Sequence, residues 1–232
     1  MTFLKSLLRK KAPDGETENE SNAFENLMMR AKIFANQKNV AALEDLQKLV
    51  MRPIQSLRMV DVYFKPDHKS LGVYHIWNDF GLNYVPGLDN SFISHLIENQ
   101  IEKEDLPVAK LGRDIVLPSG WSPSSIMNSL GRIGEGRKSG PWEQDSNHQL
   151  HYWYPLNIFW VGGGNHSITV GIILSEGVIK SAEGYDLTKL YEHVYFNGQC
   201  WIDTHSGKAI GTPIYKELGY VYEIGRLILQ VK

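Results

Sequence analysis

Six consecutive residues, Gly162-Gly163-Gly164-Asn165-His166-Ser167, carry the densest chemistry in the chain. Ordering three glycines is costly, and they become useful where the backbone must turn sharply or approach another group with no Cβ in the way. An apolar stretch, Leu156 to Val161, precedes the run and another, Ile168 to Leu174, follows it. A strand is therefore expected to enter the glycines and a buried helix, Ser167 to Glu176, to leave them with Ser167 as its cap. The first amides of a helix have no intrahelical acceptors and sit at the positive end of its dipole, so such a start favours an anion, phosphate above all. His166 can donate to that anion or move a proton, because its charge changes near neutral pH. Asn165 can position the ligand, and Ser167 can act as cap, phosphate donor or both. A plain strand-to-helix turn, with His166 bonded to a nearby carbonyl, would use the same residues.

The run is neither of the common glycine loops. It lacks the spacing and Lys of a P-loop and does not make G-x-G-x-x-G. Basic partners for a phosphate are offered by Arg132, Arg137 and Lys138 in the glycine-rich stretch Gly131 to Gly140, which is expected to be a mobile loop. Arg137 and Lys138 join the candidate phosphate-binding residues Gly162, Gly163, Gly164, Asn165, His166 and Ser167, with His166 the candidate for proton transfer. A second constellation, His148 and His151 with His166, Asp203 and His205, would suit a metal-dependent hydrolase or nuclease. No zinc-type spacing supports it, and no metal ligand is assigned. Asp145, Glu183, Asp186 and Glu135 are acid-base candidates that spacing alone brings to no common point. Trp121, Trp142, Trp153 and Trp160 offer faces on which a base could stack, although Trp160 lies in an apolar strand and is expected in the core.

The segment Leu156 to Tyr185, and less closely Pro107 to Asp203, resembles the ParB/sulfiredoxin fold superfamily. There a strand enters a Gly-rich turn carrying His or Arg, and a helix start binds phosphate. Val161-Gly162-Gly163-Gly164-Asn165-His166-Ser167 is similar to sulfiredoxin's aromatic-Gly-Gly-Cys-His-Arg turn with one extra glycine, and to the Gly-Asn-His-Arg form of ParB-like domains. Asn165 stands where sulfiredoxin has its reactive Cys, so the resemblance does not extend to thiol chemistry, and Ser167 stands where both forms place Arg, which removes a bidentate partner for a triphosphate. The whole chain also resembles an uncharacterised bacterial family, which implies no activity.

Positioning these residues requires a core, and 232 residues are ample for one. The apolar residues of Ala23 to Gln37 recur at helical spacing behind a cap at Asn22, and a second helix is expected from Val40 to Met51, ending before Pro53. One or two strands are expected between Leu57 and Tyr84, around Val60 to Phe64 and Val73 to Trp77, then a helix over Ser91 to Lys103. Beyond Pro107 the pattern predicts a strand at Asp114 to Leu117, a helix from Ser122 with Pro123 in its first turn, and a strand at Val178 to Ala182. A hairpin about Asn197-Gly198 and a closing helix from Pro213 to Leu229 follow. The expected fold class is thus α+β, a small mixed sheet with helices. It divides into a basic N-terminal segment and linker (1–21), a mainly helical region (22–106) and a ParB/sulfiredoxin-like region (107–232).

A net charge of −2 supplies no global field for nucleic acid. Cys200 is the sole cysteine, which excludes an internal disulfide and paired-cysteine metal sites and suits a reducing cytoplasm. No apolar run approaches the roughly 18 residues that span a bilayer. Phe3, Leu4, Leu7 and Leu8 beside basic residues lack the continuous core of a signal peptide and would suit a surface or partner-binding helix. The expected function is binding of a nucleotide or other phosphorylated small molecule, with hydrolysis or phosphoryl transfer as the reaction class if turnover follows and Mg²⁺ accompanying the nucleotide. The alternatives are the metal-dependent nuclease and a non-catalytic module whose N-terminal helices bind a protein partner.

Overall fold

The computed structural model describes residues 16–61, 76–88 and 91–232, with side chains from residue 23 onward apart from 76 and 77. The fold is α+β. Among the described residues seven α-helices, α1 (Glu16–Asn36), α2 (Val40–Asp61), α3 (Ile76–Phe80), α4 (Phe92–Glu98), α5 (Pro123–Arg132), α6 (Asn165–Leu174) and α7 (Lys216–Val231), surround three small sheets. The central sheet has the order β2 (Ile115–Leu117), β4 (Ile158–Gly163), β3 (Gln149–Tyr154), β6 (Glu183–Asp186). It is mixed: β2 and β6 run parallel to their neighbours, and β3 pairs with β4 antiparallel. β1 (Val108–Lys110) and β5 (Val178–Lys180) form a two-stranded ribbon, and β7 (Val194–Phe196), β8 (Trp201–Asp203) and β9 (Ala209–Gly211) form a third sheet.

Apolar side chains on both faces explain why Ile158-Phe159-Trp160-Val161 reads as an unbroken run rather than an alternation. Ile115, Leu117, Trp153, Ile158 and Trp160 point into a large core shared with α2, α3, α4 and α7. Val116, Leu150, Tyr152, Phe159 and Val161 point the other way, onto Ile168 and Ile172 of α6 and Ile179 of the ribbon. Burying each such aliphatic side chain stabilises by roughly 1.5–3 kcal/mol, so α6 is held from its underside. Buried Gln47 of α2 crosslinks the layers, donating to the carbonyls of Pro155 and Val221 and accepting from the Asn157 amide.

Several elements differ from the sequence expectation. α2 runs through Pro53 to Asp61. The proline lies on the exposed side of the helix, so its missing N–H is lost on the solvent side while buried Ile54, Gln55 and Arg58 hold the next turn. Residues Val60 and Asp61 are therefore helical, as are Ile76 and Trp77; the rest of the strands expected there, with the N-terminal segment up to Gly15, lies outside the described residues. Glu16 to Ser21, expected as linker, and Asn22, expected as a cap, belong to α1. Within α1, Ala31 and Ala35 face α7 while Ile33, expected in the core, is exposed. Gly131 to Gly140 is a bonded turn rather than a loose loop: Gly134 N donates to Gly140 O, and Ser139 N to Arg132 O. Among the described residues no helix is long and apolar enough to cross a membrane.

Candidate functional site

β4 ends in the expected glycines, and the chain turns at Gly164, whose φ of 77° is left-handed and suits a residue without Cβ. Helix α6 begins at Asn165, two residues before the expected start, so Gly164 and not Ser167 is the cap residue. Glycine has no side-chain oxygen to fold back. The first intrahelical bond is Ile168 N to Gly164 O, 2.9 Å, and the N–H groups of Asn165, His166 and Ser167 donate to no described residue. They open on a cleft of about 360 Å³ lined by Trp121, Ser129, Asn147, Gly162, Gly163, Gly164, Asn165, His166 and Ser167.

The connection from β2 to α5 forms the opposite wall, and its backbone determines how Asn165 and His166 are held. Ser119 N donates to Asn165 Oδ1 at 2.6 Å, which fixes the amide orientation and leaves Nδ2 as the unengaged end. Trp121 N and Ser122 N both donate to His166 Nε2, at 3.3 and 3.2 Å. A ring nitrogen accepting two N–H groups carries no proton, so the proton of the neutral ring sits on Nδ1. Burial pulls the His166 imidazole below its usual value, which keeps it neutral at pH 7. Its basic nitrogen is thus engaged by the backbone, and what it offers a ligand is an N–H. Trp121, nearly half exposed, stands edge to face with the His166 ring at 5.0 Å.

On the other side lies a bonded chain that the sequence did not reveal. Asp145 N donates to His148 Nδ1 at 2.8 Å, which places the ring proton on Nε2, 2.5 Å from Ser167 Oγ. The Ser167 hydroxyl in turn donates to Gly164 O at 3.1 Å. His148 therefore donates a hydrogen bond to this hydroxyl instead of accepting one, so Ser167 is a fastening and not an activated nucleophile. Desolvation also lowers the buried His148 imidazole, opposed by the nearby Asp145 carboxylate. Trp142 completes the support, its indole N–H donating to Ser167 O at 2.8 Å and its backbone N–H to Glu176.

The glycines owe their identity chiefly to this neighbour. A Cβ at Gly162 would strike the His151 ring, one at Gly163 the Asn147 carbonyl, and one at Gly164 the His148 ring. Residues 147–151 occupy the space that the sequence reading reserved for a ligand. The cleft lies beside them, over the exposed amides. Arg137 and Lys138 are not among its lining residues: the Arg137 guanidinium donates to the carbonyls of Leu130 and Ile133, satisfying the end of α5. Among the described residues, no cationic side chain and no carboxylate lines the cleft.

The residues of the metal alternative are dispersed. His151 pairs with Glu183 at 3.2 Å, His148 is engaged as above, and the Asp203 carboxylate accepts the N–H groups of His205 and Ser206. Among the described residues no group of three or more His, Cys, Asp or Glu could hold a metal ion. The missed contributors, Ser119, Trp121, Ser122 and Trp142, lie 25 to 46 residues from their partners, and only Trp121 and Trp142 stood out by type.

No curated protein and no solved structure matches the chain. A family model does match, over residues 9–232, nearly the full length, and the chain belongs to that family of unknown function, DUF6710.

Proposed function

We propose that this protein binds a phosphorylated small molecule, most simply a nucleotide, at the start of α6. One observation carries the reading: every group the cleft has unengaged on α6 is a donor. Among the described residues the amides of Asn165, His166 and Ser167 have no acceptor and Asn165 Nδ2 no partner, and His166 offers Nδ1–H. Donors converging at the positive end of a ten-residue helix suit a phosphate oxygen cluster. Exposed Trp121 at the rim supplies an aromatic face for a base, which is why a nucleotide is preferred to bare phosphate.

The lining residues also limit the ligand. With no Arg or Lys among the described lining residues the charge of a triphosphate is poorly balanced, so a monophosphate or diphosphate group fits better. With no carboxylate among the described lining residues the cleft does not suit a protein-held Mg²⁺, which would have to arrive on the phosphates. Since the His166 Nε2 lone pair is occupied and Ser167 is not activated, binding is favoured over turnover. The order of strand, glycine turn and helix supports the ParB/sulfiredoxin-like assignment, which we retain as part of the proposal, along with a cytoplasmic setting for a chain with one cysteine.

The test is a thermal-shift screen of inorganic phosphate and of nucleoside mono-, di- and triphosphates, with and without Mg²⁺. A ligand at 100 times its dissociation constant should stabilise by about 2.7 kcal/mol. His166→Ala should weaken the response. Folded protein that responds to none of them would overturn the proposal.

A further inference from the structure

The wall facing α6 is itself anchored from behind, by a residue in the N-terminal helices. Arg58 near the end of α2 is 7% exposed in its side chain and pairs with Asp79, 1% exposed, at 2.8 Å. Its Nε donates to Pro118 O at 3.1 Å and its Nη2 to Ser119 Oγ. The guanidinium lies over the Trp160 ring, 4.4 Å from the centroid. One planar cation thus touches both elements that frame the cleft: the β2–α5 connection through Pro118 and Ser119, and strand β4 through Trp160, three residues before Gly163. Ser119 is the relay, its hydroxyl facing Arg58 and its N–H bound to Asn165 Oδ1 at 2.6 Å.

We infer that Arg58 is a positioning residue for the cleft: it fixes residues 118–122 against β4, so that their N–H groups meet Asn165 and His166. A buried ion pair is weak evidence for stability as such, because desolvation offsets much of its attraction, but it can specify one arrangement of its surroundings. Guanidinium geometry matters here. A lysine ammonium could keep the charge of Asp79 company, yet it cannot also make the forked contacts to Pro118 and Ser119 and stack on Trp160. The N-terminal helices would then be part of the site's machinery.

The effect on ligand affinity rests on the proposed function, whereas the effect on His166 does not, so the two can fail separately. In full-length protein with ¹⁵N-labelled histidine, and with the His166 signals assigned by their loss in His166→Gln, Arg58→Lys should release Nε2. The His166 nitrogen signals should shift toward a mixed tautomer and its titration midpoint should rise, while His148, held by Asp145 and Ser167, stays unchanged. The midpoint for inorganic phosphate should rise about tenfold, as for loss of a charge-assisted hydrogen bond. If Arg58→Lys does not fold, Ser119→Ala, which removes only the hydroxyl relay, should move the same His166 signals in the same direction. A folded variant whose melting temperature falls while His166 keeps its parent signals and midpoint would overturn the inference and leave Arg58 a core staple. Parent protein that binds neither phosphate nor nucleotide would remove the ligand but leave the His166 comparison decisive for Arg58.

Discussion

Helices α5 and α6 pack against each other and begin in opposite ways. At α5, Ser122 sits in extended backbone and its hydroxyl accepts from Ser125 N at 3.2 Å, with Pro123 at the first position, where a missing N–H costs nothing. At α6, Gly164 provides a left-handed turn and no oxygen, and the one hydroxyl of the first turn, Ser167, is bonded to His148 and to the Gly164 carbonyl. One start is closed by its own side chain and the other is left with donors facing a cleft. Local sequence could have closed both, since a serine is present in each. What keeps α6 open is tertiary: residues 145–148 take up Ser167, and the 119–122 backbone takes up Asn165 and His166.

The largest way to break this contrast is to put a side chain where the turn is made. Gly164→Ala meets both a left-handed φ and the His148 ring, and should cost about 3 kcal/mol in urea unfolding, from roughly 1–2 for the conformation and 1–3 for the overpacking. A loss under about 1 kcal/mol would mean that the His148 fastening is not tight.

Acid should act next. Burial, as the largest cause, holds His95, His148 and His166 below the ordinary 6.5, so the folded protein binds fewer protons than the unfolded chain just below that value. Their contribution is fully present above about pH 6.5 and is lost as pH falls through the lowered folded values. Melting temperature should therefore drop progressively on acidification from about pH 6.5, with less of a drop in His148→Gln. A flat profile over that range would contradict the neutral assignments. The smallest effect belongs to the closed start: Ser122→Ala should cost about 1 kcal/mol and leave phosphate binding as it was. Loss of binding in that variant would erase the distinction between the two helices.

The α+β class, the helix start at Ser122, the hairpin about Asn197 and the strand, glycine, helix order were legible because each depends on neighbours within a few residues. The role of the glycines was not. Their Cβ positions are filled by residues 147–151, which are 11 to 17 residues distant and arrive through β3, a strand whose pairing no local signal announced. Arg137 looked like a phosphate partner by charge and proximity in sequence, but the unsatisfied carbonyls of α5 lay closer to it. The continuation of α2 beyond Pro53 was hidden for a related reason, since a proline on the solvent face breaks a helix only where packing does not hold the next turn.

The open start of α6 is tested most directly by Asn165→Asp, which is isosteric and keeps an oxygen for Ser119 N–H. A carboxylate at the first helical position should stabilise the ligand-free protein by about 0.3–1 kcal/mol through the helix dipole. The same charge should abolish binding of phosphate and of nucleoside monophosphate, measured by calorimetry beside the parent. A variant that is more stable and no longer binds is the predicted result; one that binds these anions as well as the parent would contradict an anion site at this helix.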